Sequence, residues 1–488
     1  MSFVSAAVMR SLEEAAFQRG VAAERLMDLA GKGIAGRLAC QFPKPGHAVA
    51  YIGKGNNGGD ALVALRHLRL AGWSISVRSA FPASELGELP ARKLDELAIE
   101  PNAPVPASGA PLLLLDGLLG IGARGPLRDP LARLAEEMAT LWSHHGATVA
   151  AMDLPSGMDP DTGDGDGPTA DLTLTVGVPK RGLATPAGVL RSGRIVLVPL
   201  HDLPVPAPGD LEFFCPDTSP PLLPPRPHEF HKGNAGRVGL LAGSPGMTGA
   251  AVLAATAAVK AGAGLVTLHV EPGFLSSLAA PMPPEVMVRP SDDPVSDASD
   301  ASHDALVIGP GTGNCGEHWR RSLLEKLASC NLPAVLDADA LNLIATKGRH
   351  DLLGPHHLIT PHPGEFRRLA PDLEPDRRVA AVSAFVTRHP CTLLLKGARS
   401  LVGANGFTTR FNPTGHAGMA SGGQGDVLAG VAGALLAQGL STVDAGSLAA
   451  WLCGRAGERA LTDGPICPAS STLTRLGAAM RDWQTRSR

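Results

Sequence analysis

The chain has 488 residues, 44% of them hydrophobic and 18% charged, which is the balance of a soluble globular protein too long for a single ordinary core. A net charge of −3 at pH 7 supplies no basic field for nucleic acid, so any anionic ligand has to be held by local sites. Seven cysteines without a CxxC spacing argue against a disulfide framework and a zinc site, and read as buried thiols in a reducing compartment.

In chain order, the opening MSFVSAAVMRSLEEAAFQRG has no continuous apolar h-region, and Ser11 with Glu14 predicts a capping box that starts a helix. No apolar run reaches the roughly 18 residues a bilayer span requires, so a cytoplasmic protein with no membrane partner is expected. Apolar β-rich runs then alternate with helical stretches: HAVAYIG at 47 to 53, GWSISVRSA at 72 to 80, PLLLLDGLLG at 111 to 120, TVAAMDLPSG at 148 to 157 and DLTLTVGV at 171 to 178. That alternation predicts a parallel α/β sheet. The proline-rich stretch from 201 to 227 has no apolar periodicity and reads as an extended connector, giving domains at 1–205 and 226–488 joined by a linker at 206–225. Beyond it the same rhythm returns in RVGLLAG, LVTLHV, ALVIGPG, AVLDADAL, HLITPHPGE and TLLLKGA, each ending in a small or polar loop where ligands of parallel sheets collect.

Two glycine loops carry a carboxylate. GKGNNGGD at 53 to 60 lies between a strand and a helix, and alone it reads as a packing turn. Successive strands also end in Asp116 and in Asp153 followed by Ser156, so Asn57, Asp60, Asp116, Asp153 and Ser156 are expected at one sheet edge. Oxygen donors such as Asn57, Asp116 and Ser156 suit a hard cation, and one carboxylate among them suits a monovalent one. In SGGQGDVLAG at 421 to 430, Asp426 sits in a turn suited to a phosphate, where a carboxylate fits better as a base for the group about to meet that phosphate.

GNNGGD, the strand ending in Asp116, and DLPSGMDPDTG followed by ADLTLTVGVPKRGL together resemble the NAD(P)H-hydrate epimerases over about residues 5 to 200. The resemblance implies a Rossmann-like three-layer α/β/α domain. It assigns Asn56, Asn57, Gly58, Gly59 and Asp60 to the hydrated dinucleotide, together with the loop Gly120, Ile121, Gly122, Ala123, Arg124, Gly125 and Pro126. Asn57, Asp116 and Ser156 would hold potassium, and Asp153 would lie at the reacting ring.

From about residue 226 onward, HKGNAGRVGLLAGSPGMTG, GPGTG, DADALN, TPHPGEF, KGARS and GGQGD occur in order and resemble an ADP-dependent NAD(P)H-hydrate dehydratase of the ribokinase-like superfamily. This implies that Lys396, Gly397, Ala398, Arg399, Ser400 and Gly425 meet the adenine nucleotide, with magnesium accompanying ADP. Ala250, His362, Asp426 and Gly311 or Gly313 fall to the hydrated substrate, with Asp426 as the catalytic base. His228 and His231 have two residues between them rather than the three of a helical metal pair and read as loop residues. The implied partners are hydrated NADH and NADPH and ADP, in an expected homo-oligomer. Two alternatives stand beside this reading: a ribokinase-like small-molecule kinase fused to a nucleotide-binding domain, and a binding protein whose N-terminal half has lost catalysis.

Overall fold

The computed structural model describes residues 1–105, 111–122, 125–223, 225–300, 302–374 and 377–485. The chain divides into two compact units, Met1–Gly209 and Asp210–Arg488. Among the described residues no helix is long and apolar enough to cross a membrane.

The first unit is built on six parallel strands: β1 (His47–Ile52), β2 (Ser74–Ser79), β3 (Leu112–Gly117), β4 (Thr148–Met152), β5 (Leu172–Val176) and β6 (Arg194–Val198), in the order β2-β1-β3-β4-β5-β6. The central strands are apolar at successive positions because both faces are covered. Ala48, Ala50 and Ile52 of β1, with Leu113 and Leu115 of β3, meet the two helices that follow α1 (Ala6–Gln18), namely α2 (Ala23–Gln41) and α3 (Asn56–Leu70), through Ile34, Leu38, Leu62 and Leu65. Val49, Tyr51, Leu112 and Leu114 point the other way, onto Leu134 and Met138 of the helix Leu131–His145. The result is three layers.

Helix α1 (Ala6–Gln18) does not start at Ser11 as the capping-box spacing suggests. Ser5 is the cap, its side chain accepting from the Val8 N–H at 3.3 Å, and Asp161 accepts from the Ala6 N–H at 2.7 Å. Two earlier N–H groups are thereby satisfied, so Ser11 lies mid-helix with its hydroxyl donating to the Ala7 carbonyl at 3.2 Å.

The second unit carries a ten-stranded sheet of β7 (Leu211–Phe213), β8 (Arg237–Leu241), β9 (Leu265–Val270), β10 (Val286–Pro290), β11 (Ala305–Ile308), β12 (Ala334–Leu336), β13 (His357–Ile359), β14 (Thr392–Leu395), β15 (Leu401–Gly403) and β16 (Thr409–Phe411). Its order is β10-β9-β8-β11-β12-β13-β14-β15-β16-β7, and only the β14–β15 and β15–β16 pairs are antiparallel. Strand β7 corrects the reading of 206–225 as connector throughout: Phe213 lies buried in the sheet and stacks on Phe411. Leu211 and Phe213 alternate inward, a signal too short to stand out among prolines. The thiols also differ in part from expectation, since Cys40 is exposed and Cys330 only partly covered, the other five being buried.

The helix Gln424–Ala437 is buried on every side from Val427 to Ala437, which explains its small residues. A methyl group at Gly430 would stand 2.1 Å from the Ala254 carbonyl oxygen, so this helix and Thr248–Lys260 touch backbone to backbone. That contact fixes the register of two helix starts that carry Asp426 and Ala250. Gly430→Ala is therefore expected to destabilise the second unit by about 1–3 kcal/mol or more, because the obstacle is main chain and cannot swing aside. Urea denaturation followed by tryptophan fluorescence measures it, and an unchanged midpoint would contradict the contact.

Candidate active sites

In the first unit the ends of β1, β3 and β4 are neighbours, with Asp116 in register between Tyr51 and Ala151. Asp116 is fully buried, and its carboxylate accepts from the Ser156 hydroxyl at 2.5 Å, the Ser156 N–H at 2.8 Å and the Leu118 N–H at 3.4 Å. Burial pushes this carboxyl above the usual range, while the Ser156 bonds and the charge of Arg191 oppose the shift. Asn57 donates to the Leu119 carbonyl at 2.9 Å, and Ser156 accepts from the Leu119 N–H at 2.9 Å. Asn57, Asp116 and Ser156 thus gather at the backbone of Leu118 and Leu119.

Beside them opens a cavity of about 490 Å³, lined by Asn56, Asn57, Asp60, Gly120, Ile121, Gly122 and Asp153 among others. Gly58 and Gly59 are not on its wall. A side chain at Gly59 would collide with Met27 at 2.5 Å, and one at Gly58 would sit 3.0 Å from the Gly53 carbonyl oxygen, so both glycines serve the close approach of α3 to its surroundings. Gly125 and Pro126 are exposed and do not line the cavity, while Ala123 and Arg124 lie outside the described residues.

Asp153 has a positive φ of 67°, a conformation uncommon for a residue with a side chain, which aims its carboxylate back at the sheet. There it accepts from the Val176 N–H at 2.9 Å and from Lys180, which also donates to the Val176 carbonyl at 2.8 Å. Lys180 is 1% exposed, so the pair is deeply placed. Glu13 lines the same cavity from α1. Sequence reading missed both Lys180 and Glu13. Lys180 follows β5 in VPKRGL and had a strand-end position to recommend it; Glu13 had no local signal at all.

In the second unit, β11, β12, β13 and β14 are consecutive neighbours and their ends deliver the GPGTG loop, Asp337, His362 and Lys396 to one edge. Lys396 donates to Asp337 at 2.8 Å and lies 3.8 Å from Glu365. Burial works against its charge, but Asp337 and Glu365 outweigh it and hold the ammonium above its ordinary value. Asp426 enters from the first turn of Gln424–Ala437, behind Gly423, whose φ of 90° makes the turn. Burial and then Asp337 raise the Asp426 carboxyl to about 6, with Lys396 opposing. Asp337 and Glu365 were not singled out from the sequence, although DADALN and TPHPGEF contain them.

Gly311 and Ala250 are brought together: a side chain at Gly311, where φ is 64°, would meet Ala250 at 2.8 Å. A side chain at Gly313 would instead meet Asp339 at 3.2 Å. His362 caps the helix Pro363–Leu369, its Nδ1 accepting from the Gly364 N–H at 2.9 Å, so Nε2 is the nitrogen left to face Glu365 at 3.3 Å. In the KGARS loop Gly397 and Ala398 are exposed, Ser400 is partly covered, and Arg399 turns inward to the Gly415 carbonyl at 3.2 Å. Arg378 clamps that loop by donating to the carbonyls of Leu395, Lys396, Ala398 and Arg399 at 3.0 to 3.4 Å. A side chain at Gly425 would stand 3.2 Å from the Lys396 ammonium.

Residues 23–182 match the family described as YjeF-related protein N-terminus, and residues 238–476 match the family described as NAD(P)H-hydrate dehydratase. The chain is 34% identical to the bifunctional NAD(P)H-hydrate repair enzyme of Coxiella burnetii, covering 93% of this chain and 94% of that protein. It belongs to the bifunctional NAD(P)H-hydrate repair enzymes. The Escherichia coli repair enzyme is 32% identical over 90% of this chain and 85% of its own. A ribokinase-like superfamily protein of Enterococcus faecalis superimposes with a TM-score of 0.51 at 25% identity, covering 56% of this chain and 96% of that one. The repair enzyme therefore joins an epimerase unit to a ribokinase-like dehydratase unit.

The Asp337–Lys396–Asp426 arrangement makes a test that needs no substrate. In the free repair enzyme, the Asp426 carboxyl is expected to titrate near pH 6 by ¹³C NMR. Asp337→Asn removes a neighbouring negative charge and should move that midpoint down; an unmoved or rising midpoint would contradict the electrostatics.

Proposed function

We propose that the second unit phosphorylates the ring hydroxyl of the hydrated dinucleotide and then eliminates phosphate, while the first unit returns the epimer that the second cannot use. The observation that carries this reading is Asp426, raised to about 6 at a helix start beside the Asp337–Lys396 pair, which is a base tuned close to neutral pH in the place a transferring phosphoryl would occupy. In the hydrate, the hydroxyl sits on the carbon next to the ring nitrogen, and hydroxide leaves poorly. Asp426 takes the hydroxyl proton, the oxygen attacks the terminal phosphoryl of ADP, and AMP departs. Phosphate then leaves with its bonding electrons as a neighbouring ring carbon gives up a proton, restoring the dihydronicotinamide. Lys396 balances charge on the transferring group, and the loop from Lys396 to Ser400, with Gly425, supplies backbone N–H groups to the nucleotide. Ala250, the GPGTG loop and His362 form the wall against the hydrated ring; the short approach of Gly311 to Ala250 favours Gly311 as the contacting glycine.

Magnesium would accompany ADP. Among the described residues no three His, Cys, Asp or Glu side chains cluster as metal ligands, which fits an ion held largely by the nucleotide's own phosphate oxygens. Potassium fits Asn57, Asp116 and Ser156, since these oxygens and the Leu119 carbonyl converge around a buried carboxylate. It would supply positive charge beside the bound dinucleotide. The seven free cysteines suit a reducing compartment.

Water adds to either face of the ring unaided, so both epimers form, and a chiral pocket phosphorylates one. Asp426→Asn is expected to lower ADP-dependent dehydration by roughly 10²- to 10⁴-fold while epimer exchange continues. Absorbance of the regained dihydronicotinamide and NMR of the two epimers measure both, and near-normal dehydration would reduce Asp426 to a structural cap. A stable phosphorylated product without dihydronicotinamide would point instead to a small-molecule kinase. Asp116→Ala should weaken the potassium dependence of epimer exchange and leave dehydration alone. An unchanged potassium response would remove the assignment.

A further inference from the structure

Epimerisation through a ring cation moves protons twice: the departing hydroxyl must be protonated, and the water that returns on the other face must lose a proton. One of the two carboxylate oxygens of Asp153 is already committed. Its Oδ1 already accepts from the Val176 N–H at 2.9 Å, from the Thr175 hydroxyl at 3.4 Å and from Lys180. Two other carboxyl groups line the same cavity, Glu13 from α1 and Asp60 from α3. Among the described residues neither side chain makes a hydrogen bond or ion pair, although both are partly buried in a cavity with a largely apolar lining, where an idle carboxylate is costly.

We propose that Glu13 and Asp60 form the acid–base pair of the epimerase, with the Asp153–Lys180 pair holding the ring in place between them. The acid member gives its proton to the hydroxyl, the C–O bond breaks with its electrons on oxygen, and water departs. The ring nitrogen's lone pair closes a C=N bond, leaving a ring cation. Water adds to the opposite face, a new C–O bond forms, the nitrogen recovers its lone pair, and the carboxylate member takes the excess proton. Atoms and charge balance. One proton has passed from one carboxyl to the other, which leaves the pair set for the reverse reaction, as an enzyme that interconverts two epimers requires.

The electrostatics agree with a shared proton. Burial, then Asp153 and Glu13, push Asp60 well above the carboxylate range, with Lys180 opposing. Burial and Asp153 raise Glu13, against Lys180 and Arg10. Two like groups lining one cavity oppose each other's ionisation. Glu13 adds to the cavity a catalytic residue from the helix that precedes the sheet.

The inference rests on the epimerase reading, and the test separates the two. The full-length protein, without ADP, is given a mixture of hydrated NADH epimers; exchange is followed by NMR and by uptake of ¹⁸O from labelled water into the hydroxyl, across pH. Wild type should give a two-limbed pH profile. Glu13→Gln and Asp60→Asn should each lower exchange by about 10²-fold or more and lose one limb, while Glu13→Asp keeps both limbs at a reduced rate. ADP-dependent dehydration of the variants should match wild type and their thermal unfolding midpoint should not fall below it, which guards against misfolding. Near-normal exchange by Glu13→Gln, or a slow variant that keeps both limbs, overturns the pair. Absence of exchange in wild type overturns the epimerase reading itself.

Discussion

Both units depend on the same constraint, a buried strand-end aspartate answered by one lysine from the end of another strand of the same sheet. Asp153 meets Lys180, and Asp337 meets Lys396. Removing one partner from such a pair leaves an uncompensated charge, a loss of roughly 3–5 kcal/mol in buried settings. The geometry around each pair is therefore tightly specified. Under the mechanisms proposed above, proton transfer falls to other carboxyl groups, Asp60 and Glu13 in one unit and Asp426 in the other.

Parallel sheets make this possible. Their strands run the same way, so every strand end and the loop after it arrive at one edge, and residues far apart in sequence meet there. In the first unit positions 57, 116, 153 and 180 converge; in the second, 311, 337, 365, 396 and 426 do. The ten-stranded sheet extends beyond its parallel core through β15, β16 and β7, and these last strands place Arg410 between Glu212 and Asp444 rather than adding to the site.

Much of this was legible in the sequence because strand-end residues advertise themselves: an apolar run that stops at Asp116, Asp153 or Lys396 marks both the strand and the edge. Asn57, Ser156 and Asp426 were legible because they follow glycine turns or strand ends. What could not be read depends on packing in three dimensions. Gly58 and Gly59 resemble ligand contacts in GNNGGD, yet their missing side chains answer to Met27 and the Gly53 carbonyl. Arg399 sits in a loop with open neighbours but folds inward to Gly415. Glu13 reaches the cavity from a helix that no motif marks, and β7 is three residues among prolines. Ser11 and Glu14 have the right spacing for a cap, but Ser5 and Asp161 satisfy the earlier N–H groups first.

The clamp from Arg378 carries a different consequence. Its guanidinium holds the loop through four peptide carbonyls, and peptide carbonyls are the same whatever side chains the loop bears. The loop can therefore change its side chains, at the exposed Ala398 for instance, without losing its shape. A lysine in place of Arg378 offers a single ammonium on a flexible stem in place of a rigid planar fork, and cannot span all four oxygens at once. Tolerance to substitution in this part of the molecule is thus set from outside the loop, by one side chain on the helix Arg378–Arg388.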